Sequence, residues 1–366
     1  MTIDDSVYMN RALNLARKAW GNTWPNPMVG AVIVKNGHIL GEGYHHYAGS
    51  YHAEIEALRK CKENPQDSTM YVTLEPCCHF GKTPPCTEAI IQAGIKKVFI
   101  SIKDPNPKVS GKGIKRLKAA GIEIHSGLLK EEATILNEGF IHFHRTGNPL
   151  VVLKIAQTLD GKIATANYDS KWITGKESRK FVQMLRAGSD AILVGSHTII
   201  QDNPELVVHS NKPYKRYPYR IILDTRGMLN PQFKVFSKQL KDCPVFWVIG
   251  SQVSRKKIIQ MENNGVKILQ MKNKSSHIDL SWLMNELSKL DIHTLLVEGG
   301  SRIFGAFIDN CFADKMVIFQ APSIMGGQKS LSSIGGKGAL TIDKLVHLKK
   351  PHYSLSGKDM VIEGYL

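Results

Sequence analysis

The spacing of apolar residues in the first part of the chain changes repeatedly between that of a helix and that of a strand. Apolar residues at every third or fourth position predict a helix over residues 4–20. Met28–Val34 is a nearly continuous apolar run that predicts a strand, and the turn Lys35-Asn36-Gly37 joins it to a second strand at Ile39–Tyr44. Further strands are predicted at 70–74, 97–102 and 122–124, with helices at 53–61, 85–93 and 112–120. This alternation predicts a layered α/β domain.

The pattern is interrupted once, near the middle of the chain. The segment Arg145–Pro149 has no periodicity and directly precedes a new apolar strand, so we interpret it as a linker. Beyond it, strands are predicted at 150–156, 190–195, 219–224, 245–249, 266–270, 293–297 and 315–320, with helices at 177–187, 280–289 and 302–309. We therefore expect two domains, 1–146 and 147–366, which also suits a length of 366 residues.

Residues that bind metals are concentrated in the first quarter of the chain. His52-Ala53-Glu54 is followed by a loop, Pro76–Cys86, that contains three cysteines. One histidine and two cysteines supply three zinc ligands and leave a fourth position for water, which is the arrangement of a catalytic site. An acid two residues after the histidine matches the general acid/base of zinc nucleobase deaminases. The pattern predicts deamination of a base-like ring.

A structural zinc site is the alternative for the same residues. It requires a fourth protein ligand, which Cys78 or His79 could supply. Glu54 has no purpose in a closed site and therefore favours catalysis. Cys78 is expected to pack instead of binding metal, because adjacent side chains rarely reach one ion. Residues i and i+2 lie about 200° apart on a helix, so His52 is expected at a junction between loop and helix.

Composition narrows the compartment in which the chain works. No apolar run reaches about 18 residues, so we expect no membrane span. The first residues, Met1–Asp5, are acidic, unlike those of a secretory signal. Three of six cysteines fall in one short loop, which favours metal binding over disulfides. A reducing, cytoplasmic location is predicted.

The net charge of +16 is unevenly distributed. Residues 1–146 have 18 Lys/Arg and 14 Asp/Glu, a net +4, whereas residues 147–366 have 30 and 18, a net +12. The excess favours anionic partners, either phosphorylated small molecules or nucleic acid. Because Lys212–Arg220 alternates basic and aromatic residues, an RNA-editing deaminase with a basic RNA-binding C-terminal half is an alternative function. A solvated loop that leads into a strand explains the same residues. A non-enzymatic zinc module is a further alternative, which Glu54 argues against.

Several motifs resemble the family of bifunctional riboflavin-biosynthesis deaminase/reductases. They are Cys77–Cys86, Pro25–Gly30 and Asp104–Pro107 in the first half, and Thr158–Lys162 and Val297–Gly300 in the second. The resemblance implies an N-terminal cytidine-deaminase-like three-layer α/β/α domain with zinc and a C-terminal dihydrofolate-reductase-like α/β domain that uses NADPH. The implied substrate is a phosphorylated pyrimidine, 2,5-diamino-6-ribosylamino-4(3H)-pyrimidinone 5′-phosphate. It is deaminated, and its ribosyl group is then reduced to ribityl. No nucleic-acid or membrane partner is implied, and a homo-oligomer is compatible with the sequence.

The resemblance also implies roles for individual residues. Glu54 is the catalytic acid/base, and zinc is bound by His52, Cys77 and Cys86. Pyrimidine contacts of the deaminase are implied at Asn26, His45, His79, Lys82, Asp104 and Asn106. Contacts with NADPH are implied at Ala156, Trp172, Thr198, Asp202, Gly300, Ser301 and Arg302. Contacts with the substrate of the reductase are implied at Ser170, Arg186, Leu206, His209 and Glu298.

The sequence does not decide which residues contact the phosphate group of the substrate, and two places in the chain show this. The family commonly has an arginine where this chain has His209, and a histidine is only partly charged near neutral pH. Lys212, Lys215 or Arg216 could compensate for it. In the first half, Ser110–Gly113 could alternatively bind a phosphate at the start of a helix, although a plain turn explains these residues as well.

Overall fold

The computed structural model describes residues 3–78, 85–107, 109–210, 214–237 and 243–366. The chain divides into two compact units, Met1–Gly147 and Asn148–Leu366. Each unit is a layered α/β structure, which confirms the fold class predicted from the hydrophobic pattern. Within the described ranges, no helix has the length and apolar character needed to cross a membrane.

The first unit is built on a five-stranded sheet with the order β2-β1-β3-β4-β5. Its strands are β1 (Gly30–Lys35), β2 (His38–Tyr44), β3 (Thr69–Leu74), β4 (Lys97–Ile102) and β5 (Glu123–Ser126). Its helices are α1 (Ile3–Arg17), α2 (Ala53–Arg59), α3 (Cys86–Gln92), α4 (Lys112–Ala119), α5 (Lys130–Leu136) and α6 (Glu138–Thr146). β1 pairs antiparallel with β2 and β3, whereas β3, β4 and β5 are parallel.

Helices cover both faces of this sheet. Successive side chains of β1 point to opposite faces, so Ala31 and Ile33 pack in a cluster with α2, α3 and α4, whereas Val32 and Val34 pack with α1. The result is the three-layer α/β/α arrangement expected for the first domain. Because β3 and β4 are parallel neighbours, the loops that follow both strands begin at the same edge of the sheet.

The second unit contains a nine-stranded sheet with the order β11-β10-β9-β8-β12-β6-β13-β16-β15. Its strands are β6 (Leu150–Gln157), β8 (Ala191–Gly195), β9 (Tyr219–Leu223), β10 (Val245–Ile249), β11 (Lys267–Gln270), β12 (Thr294–Val297), β13 (Lys315–Gln320), β15 (Lys349–Ser356) and β16 (Asp359–Tyr365). A separate pair is formed by β7 (Lys162–Ala164) and β14 (Leu331–Ser332). Its α-helices are α7 (Lys176–Ala187), α8 (Ser196–Asp202), α9 (Arg255–Asn263), α10 (Leu280–Lys289) and α11 (Ser301–Asp309), and single 3₁₀ turns lie at Lys234–Phe236 and Ile342–Lys344.

The seven strands from β11 to β13 are parallel, and β16 and β15 extend the sheet in antiparallel pairing. One face of the sheet packs against α10 and α11 and the other against α7, α8 and α9. In a sheet of this kind ligands bind outside the carboxyl ends of the parallel strands. Among the residues predicted for cofactor binding, Ala156 lies near the end of β6, Thr198 follows β8 and Gly300 follows β12.

Candidate active sites

The three predicted zinc ligands of the first unit converge on one point. His52 is the N-cap of α2, Cys86 is the first residue of α3, and Cys77 follows β3. The Nδ1 atom of His52 lies 3.2 Å from the Sγ atom of Cys86 and 3.6 Å from that of Cys77. All three donor atoms lie within 4.8 Å of one another, so the donor set and its spacing fit a zinc ion. Cys78 is not in this group. His79 and Lys82 lie outside the described residues.

Hydrogen bonds prepare one of the thiols for metal binding. The Cys86 side chain and backbone N–H and the His52 side chain lower the pKa of Cys77 to about 4, against the effect of its burial. The hydrogen bond with Cys77 raises the pKa of His52 to about 9 although burial opposes it, so the ring is protonated beside the Cys77 thiolate. Cys77 is thus in the form in which cysteine binds metal, whereas His52 must release its extra proton when it binds.

Glu54 occupies the first turn of α2, two residues after His52, and its side chain is buried. Burial raises its pKa to about 7, while the neighbouring His52 acts in the opposite direction. A carboxyl group with this pKa can both take up and release a proton near neutral pH. The junction between loop and helix thus brings the acid next to the metal ligands, as the spacing of the two residues requires.

Two of the predicted pyrimidine contacts lie beside the zinc ligands. The side-chain amide nitrogen of Asn26 is 3.0 Å from Nε2 of His45, and the His45 ring meets the His52 ring edge to face at 5.5 Å. Nδ1 of His45 lies 3.1 Å from the carbonyl oxygen of Tyr51, so this nitrogen carries the proton and Nε2 accepts from Asn26. Burial lowers the pKa of His45, which keeps the ring neutral.

Asn137, which sequence reasoning missed, holds the segment that contains Asn26. Its side-chain oxygen accepts a hydrogen bond from the N–H of Met28 at 2.8 Å, and its amide donates to the Met28 carbonyl at 2.9 Å. Asn137 is itself buried between α5 and α6. This paired contact resembles a rung of a β-ladder and fixes the backbone two residues after Asn26. The partners are 109 positions apart, so this contact leaves no local signal in the sequence.

The predicted contacts Asp104 and Asn106 follow β4, at the same sheet edge as the loop of Cys77. Glu75 accepts hydrogen bonds from the backbone N–H groups of Gly111 and Ile114, at 2.9 and 3.1 Å. These are the N–H groups that a phosphate would need at the start of α4. Phosphate binding by Ser110–Gly113 is therefore wrong, because a buried carboxylate already occupies the site.

In the second unit, four of the predicted cofactor residues lie just after β8 and β12: Thr198, Gly300, Ser301 and Arg302. Gly300 is the N-cap of α11 and has a φ of +76°, a conformation that favours glycine. A Cβ at Gly300 would lie 3.5 Å from the hydroxyl of Thr198, which is in the first turn of α8. The hydroxyl of Ser170 donates to Asp202 at the other end of α8, at 3.3 Å. Ala156 lies near the end of β6, Arg302 is exposed in α11, and Trp172 is exposed with Arg179 stacked on its ring.

Glu298 lies directly after β12, and both of its carboxylate oxygens are engaged by cations. Arg186 donates to them at 2.5 and 2.8 Å, and the ammonium group of Lys154 lies 3.3 Å away. Burial alone would raise the pKa of Glu298, but the two cations outweigh it and lower the pKa to about 2. Lys154, on β6, is a functional candidate that sequence reasoning missed, since a single lysine within an apolar strand has no motif.

Two predicted substrate contacts of the reductase, Leu206 and His209, lie in different surroundings. The side chain of Leu206 is buried in the hydrophobic cluster around Ile199 and Ile222, so only its backbone is available to a ligand. The backbone N–H of His209 donates to Gln183, and its side chain is exposed. Compensation by Arg216 is wrong, because Arg216 pairs at 3.4 Å with Asp190, just before β8 and about 15 Å from the carboxyl edge by the rise of a strand. Lys212 lies outside the described residues.

Two arginines in the described part of the basic and aromatic stretch, Arg216 and Arg220, contact other groups of the protein, whereas Lys215 is exposed. The guanidinium of Arg220 is buried and donates to the carbonyl oxygens of Val235 and Cys243. Arg216 lies over the ring of Tyr219, 5.4 Å from its centroid. Cations engaged in this way do not present an RNA-stacking surface, which agrees with a structural loop and strand.

Both units resemble known proteins. Residues 149–362 match the family model described as the RibD C-terminal domain, and residues 2–102 match the cytidine and deoxycytidylate deaminase zinc-binding region. The chain is 42% identical over 364 residues to the riboflavin biosynthesis protein RibD of Actinobacillus pleuropneumoniae, covering 99% of this chain and 95% of the relative.

Solved structures show the same likeness over the whole length. RibD of Acinetobacter baumannii is 36% identical, with a TM-score of 0.89, covering 99% of this chain and 98% of the other. A Thermotoga maritima protein is 37% identical, with a TM-score of 0.88 and the same coverage. It is described as a diaminohydroxyphosphoribosylaminopyrimidine deaminase/5-amino-6-(5-phosphoribosylamino)uracil reductase.

Proposed function

The chain belongs to the RibD family of bifunctional riboflavin-biosynthesis enzymes, and from this premise we propose which of its residues perform each reaction. It combines a zinc-dependent deaminase with an NADPH-dependent reductase, and the relatives give no support to the RNA-editing alternative. The substrate proposed for the first step is 2,5-diamino-6-ribosylamino-4(3H)-pyrimidinone 5′-phosphate. Its deaminated product is then the substrate of the reductase, which converts the ribosyl group to ribityl.

The convergence of His52, Cys77 and Cys86 beside a buried acid is the observation that supports the deaminase assignment. Zinc held by these residues would supply an activated water for hydrolysis. Glu54 can hold a proton at a carboxylate oxygen and deliver it to the leaving amine, which its pKa of about 7 permits. The Asn26 amide, fixed by His45, has its carbonyl oxygen available to accept a hydrogen bond from an amino group of the pyrimidine.

In the reductase, the loop Glu298–Ser301 and the N-terminus of α11 are proposed to bind the cofactor diphosphate. Gly300, with its positive φ, lets the phosphates approach the backbone, and the N-terminal end of α11 favours an anion. NADPH supplies the hydride. Arg186 and Lys154 hold Glu298 ionised at this edge, where it can accept a hydrogen bond from a sugar hydroxyl.

Exchange of Glu54 for glutamine tests the deaminase assignment. Glu54→Gln keeps the size of the side chain but cannot carry a proton, so deamination should fall by about 10² to 10⁴-fold. About one zinc per chain should remain bound, measured by elemental analysis, and NADPH oxidation with the deaminated pyrimidine should be unchanged. The matched control is Glu56→Gln on the same helix, whose carboxylate pairs with Lys60 at the surface. Wild-type deamination by Glu54→Gln would refute the assignment.

We also propose that the chain self-associates in a reducing compartment such as the cytoplasm. All six cysteines are free thiols, and two of them, Cys77 and Cys86, belong to the predicted metal site. Leu340, Ile342 and Leu355 expose 92%, 81% and 77% of their surface. Contact with a second copy of the chain would remove these apolar side chains from water.

A further inference from the structure

Glu75 is not one of the predicted zinc ligands, yet it lies between Cys77 and the substrate segment, residues 104–114, which contains the predicted substrate contacts Asp104 and Asn106. It directly follows β3 and precedes Pro76 and Cys77, and only 3% of its surface is exposed. Its N–H donates to the Ile102 carbonyl at 3.0 Å, which extends the pairing of β3 with β4 by one step. The backbone of Glu75 therefore belongs to the sheet, and its side chain is fixed at the edge where the two loops begin.

Three backbone N–H groups converge on the Glu75 carboxylate. They belong to Asp104 at 3.2 Å, Gly111 at 2.9 Å and Ile114 at 3.1 Å. These donors come from both ends of the segment 104–114, so one side chain holds the start and the finish of the loop. A buried carboxylate accepting several N–H bonds is a strong, directional contact, since each bond is charge-assisted.

The held segment is itself closely folded. The carboxylate of Asp104 accepts a hydrogen bond from the Asn106 N–H at 2.8 Å, and the Asn106 carbonyl accepts from Ser110 at 2.9 Å. Its far end packs on the metal loop, because a Cβ at Gly113 would lie only 2.1 Å from the Pro76 carbonyl oxygen. The position of Asn106 is therefore tied to the residue next to the zinc ligand Cys77.

Helix capping alone does not account for this arrangement. A carboxylate near the N-terminus of α4 does stabilise the helix. However, the N-cap Gly111 has no side-chain cap, and the carboxylate comes from 36 positions earlier in the chain. The Glu75 carboxylate also accepts a hydrogen bond from the N–H of Asp104, which is not part of the helix. What this contact fixes is the distance between two loops.

We propose that Glu75 is a positioning residue for deamination, which holds Asp104 and Asn106 against the metal loop so that they contact the pyrimidine. The inference rests on the proposed function, because it takes those two residues as substrate contacts. Glu75 acts through backbone N–H groups of the substrate segment. Its loss should therefore weaken substrate binding more than the chemical step.

The test is Glu75→Gln in the full chain. The glutamine keeps one acceptor oxygen but turns an NH₂ group toward a backbone N–H, so part of the contact becomes repulsive. The deaminase KM should rise about tenfold while kcat stays within about threefold, which corresponds to the loss of about one hydrogen bond. Zinc content and NADPH oxidation should not change. The matched control is Glu88→Gln. It removes a carboxylate of α3 that contacts the side chain of Arg116 in α4, the helix whose first turn Glu75 holds, and it should leave KM unchanged.

A double-mutant cycle with Asn106→Ala separates this inference from the proposed function. If Glu75 acts through Asn106, the two changes should raise KM together by less than the product of their separate effects. If Asn106→Ala raises KM and Glu75→Gln does not, the positioning role is refuted and the pyrimidine contact stands. If Asn106→Ala has no effect, the substrate assignment fails first. Loss of zinc or a fall in kcat alone would also overturn the proposal. Should Glu75→Gln be insoluble, Glu75→Asp, which keeps the charge but withdraws it by one methylene, is judged by the same criteria.

Discussion

Glu54 and Glu298 are both buried carboxyl groups, but their surroundings give them opposite properties. Burial dominates at Glu54 and raises its pKa to about 7, so the group exchanges protons near neutral pH. At Glu298 the cations Arg186 and Lys154 overcome burial and lower the pKa to about 2, so the charge is permanent. The first environment suits proton transfer and the second suits a fixed hydrogen-bond acceptor.

The low pKa of Glu298 predicts a specific dependence of stability on pH. Its pKa falls from 4.5 to about 2 on folding, so the stabilisation is complete above about pH 5 and is lost as pH decreases toward 2. Glu298→Gln should therefore lower stability by on the order of 3 kcal/mol at pH 7. Calorimetric melting at pH 7 and pH 3 should show this deficit shrinking at the lower pH. An equal deficit at both pH values would contradict the ion pair, and Glu286→Gln, a helix-surface acid paired with Lys289, is the control.

At the scale of elements, the sequence was most informative where apolar periodicity decides the structure. The predicted strand 97–102 and helix 280–289 agree with the structure at both ends. The helices of residues 130–136 and 138–146 were missed although Ala133, Leu136 and Ile141 have helical spacing, because the break at Asn137 leaves only seven and nine residues in the two helices. The strand Lys349–Ser356 was also missed. It contains Pro351 and is mostly exposed at the sheet edge, so neither alternation nor burial marks it in the sequence.

The turn between β12 and α11 leads to a prediction about cofactor binding. Gly300→Ala forces a side chain into a backbone with φ of +76° and directs the methyl group toward Thr198. NADPH binding, measured by fluorescence titration, should weaken about tenfold, because such strain costs on the order of 1–2 kcal/mol. The control is Gly175→Ala at the N-cap of α7, where φ is −68° and the new Cβ would make an ordinary contact. Equal NADPH affinity in Gly300→Ala and the wild type would argue against a cofactor site at this turn.

At the scale of the whole molecule, what the sequence predicted of the candidate sites depended on the distance between partners along the chain. The zinc ligands are marked by short motifs whose spacing reflects the metal itself. Glu75, Asn137 and Lys154 instead act on groups 29 to 39, 109 and 144 positions away. Such contacts exist only after the sheet has formed, so no local sequence pattern predicts them. The net +12 of residues 147–366 pointed toward anions but not toward a particular residue.

The division into two compact units predicts that the deaminase works alone. A chain ending at Gly147 contains every residue proposed for deamination and the helices that cover its sheet, so it should bind zinc and deaminate within about threefold of the full chain. A chain ending at Leu128 is the control. It lacks α5 and α6, whose Ala133, Leu136 and Ile141 pack on Leu13, Leu74 and Ile102, and it lacks the Asn137 contact with Met28. The shorter chain should therefore lose both folding and activity, measured by circular dichroism and ammonia release. If the longer fragment fails as well, while the full chain deaminates, the deaminase depends on residues after Gly147 and the proposed boundary is wrong.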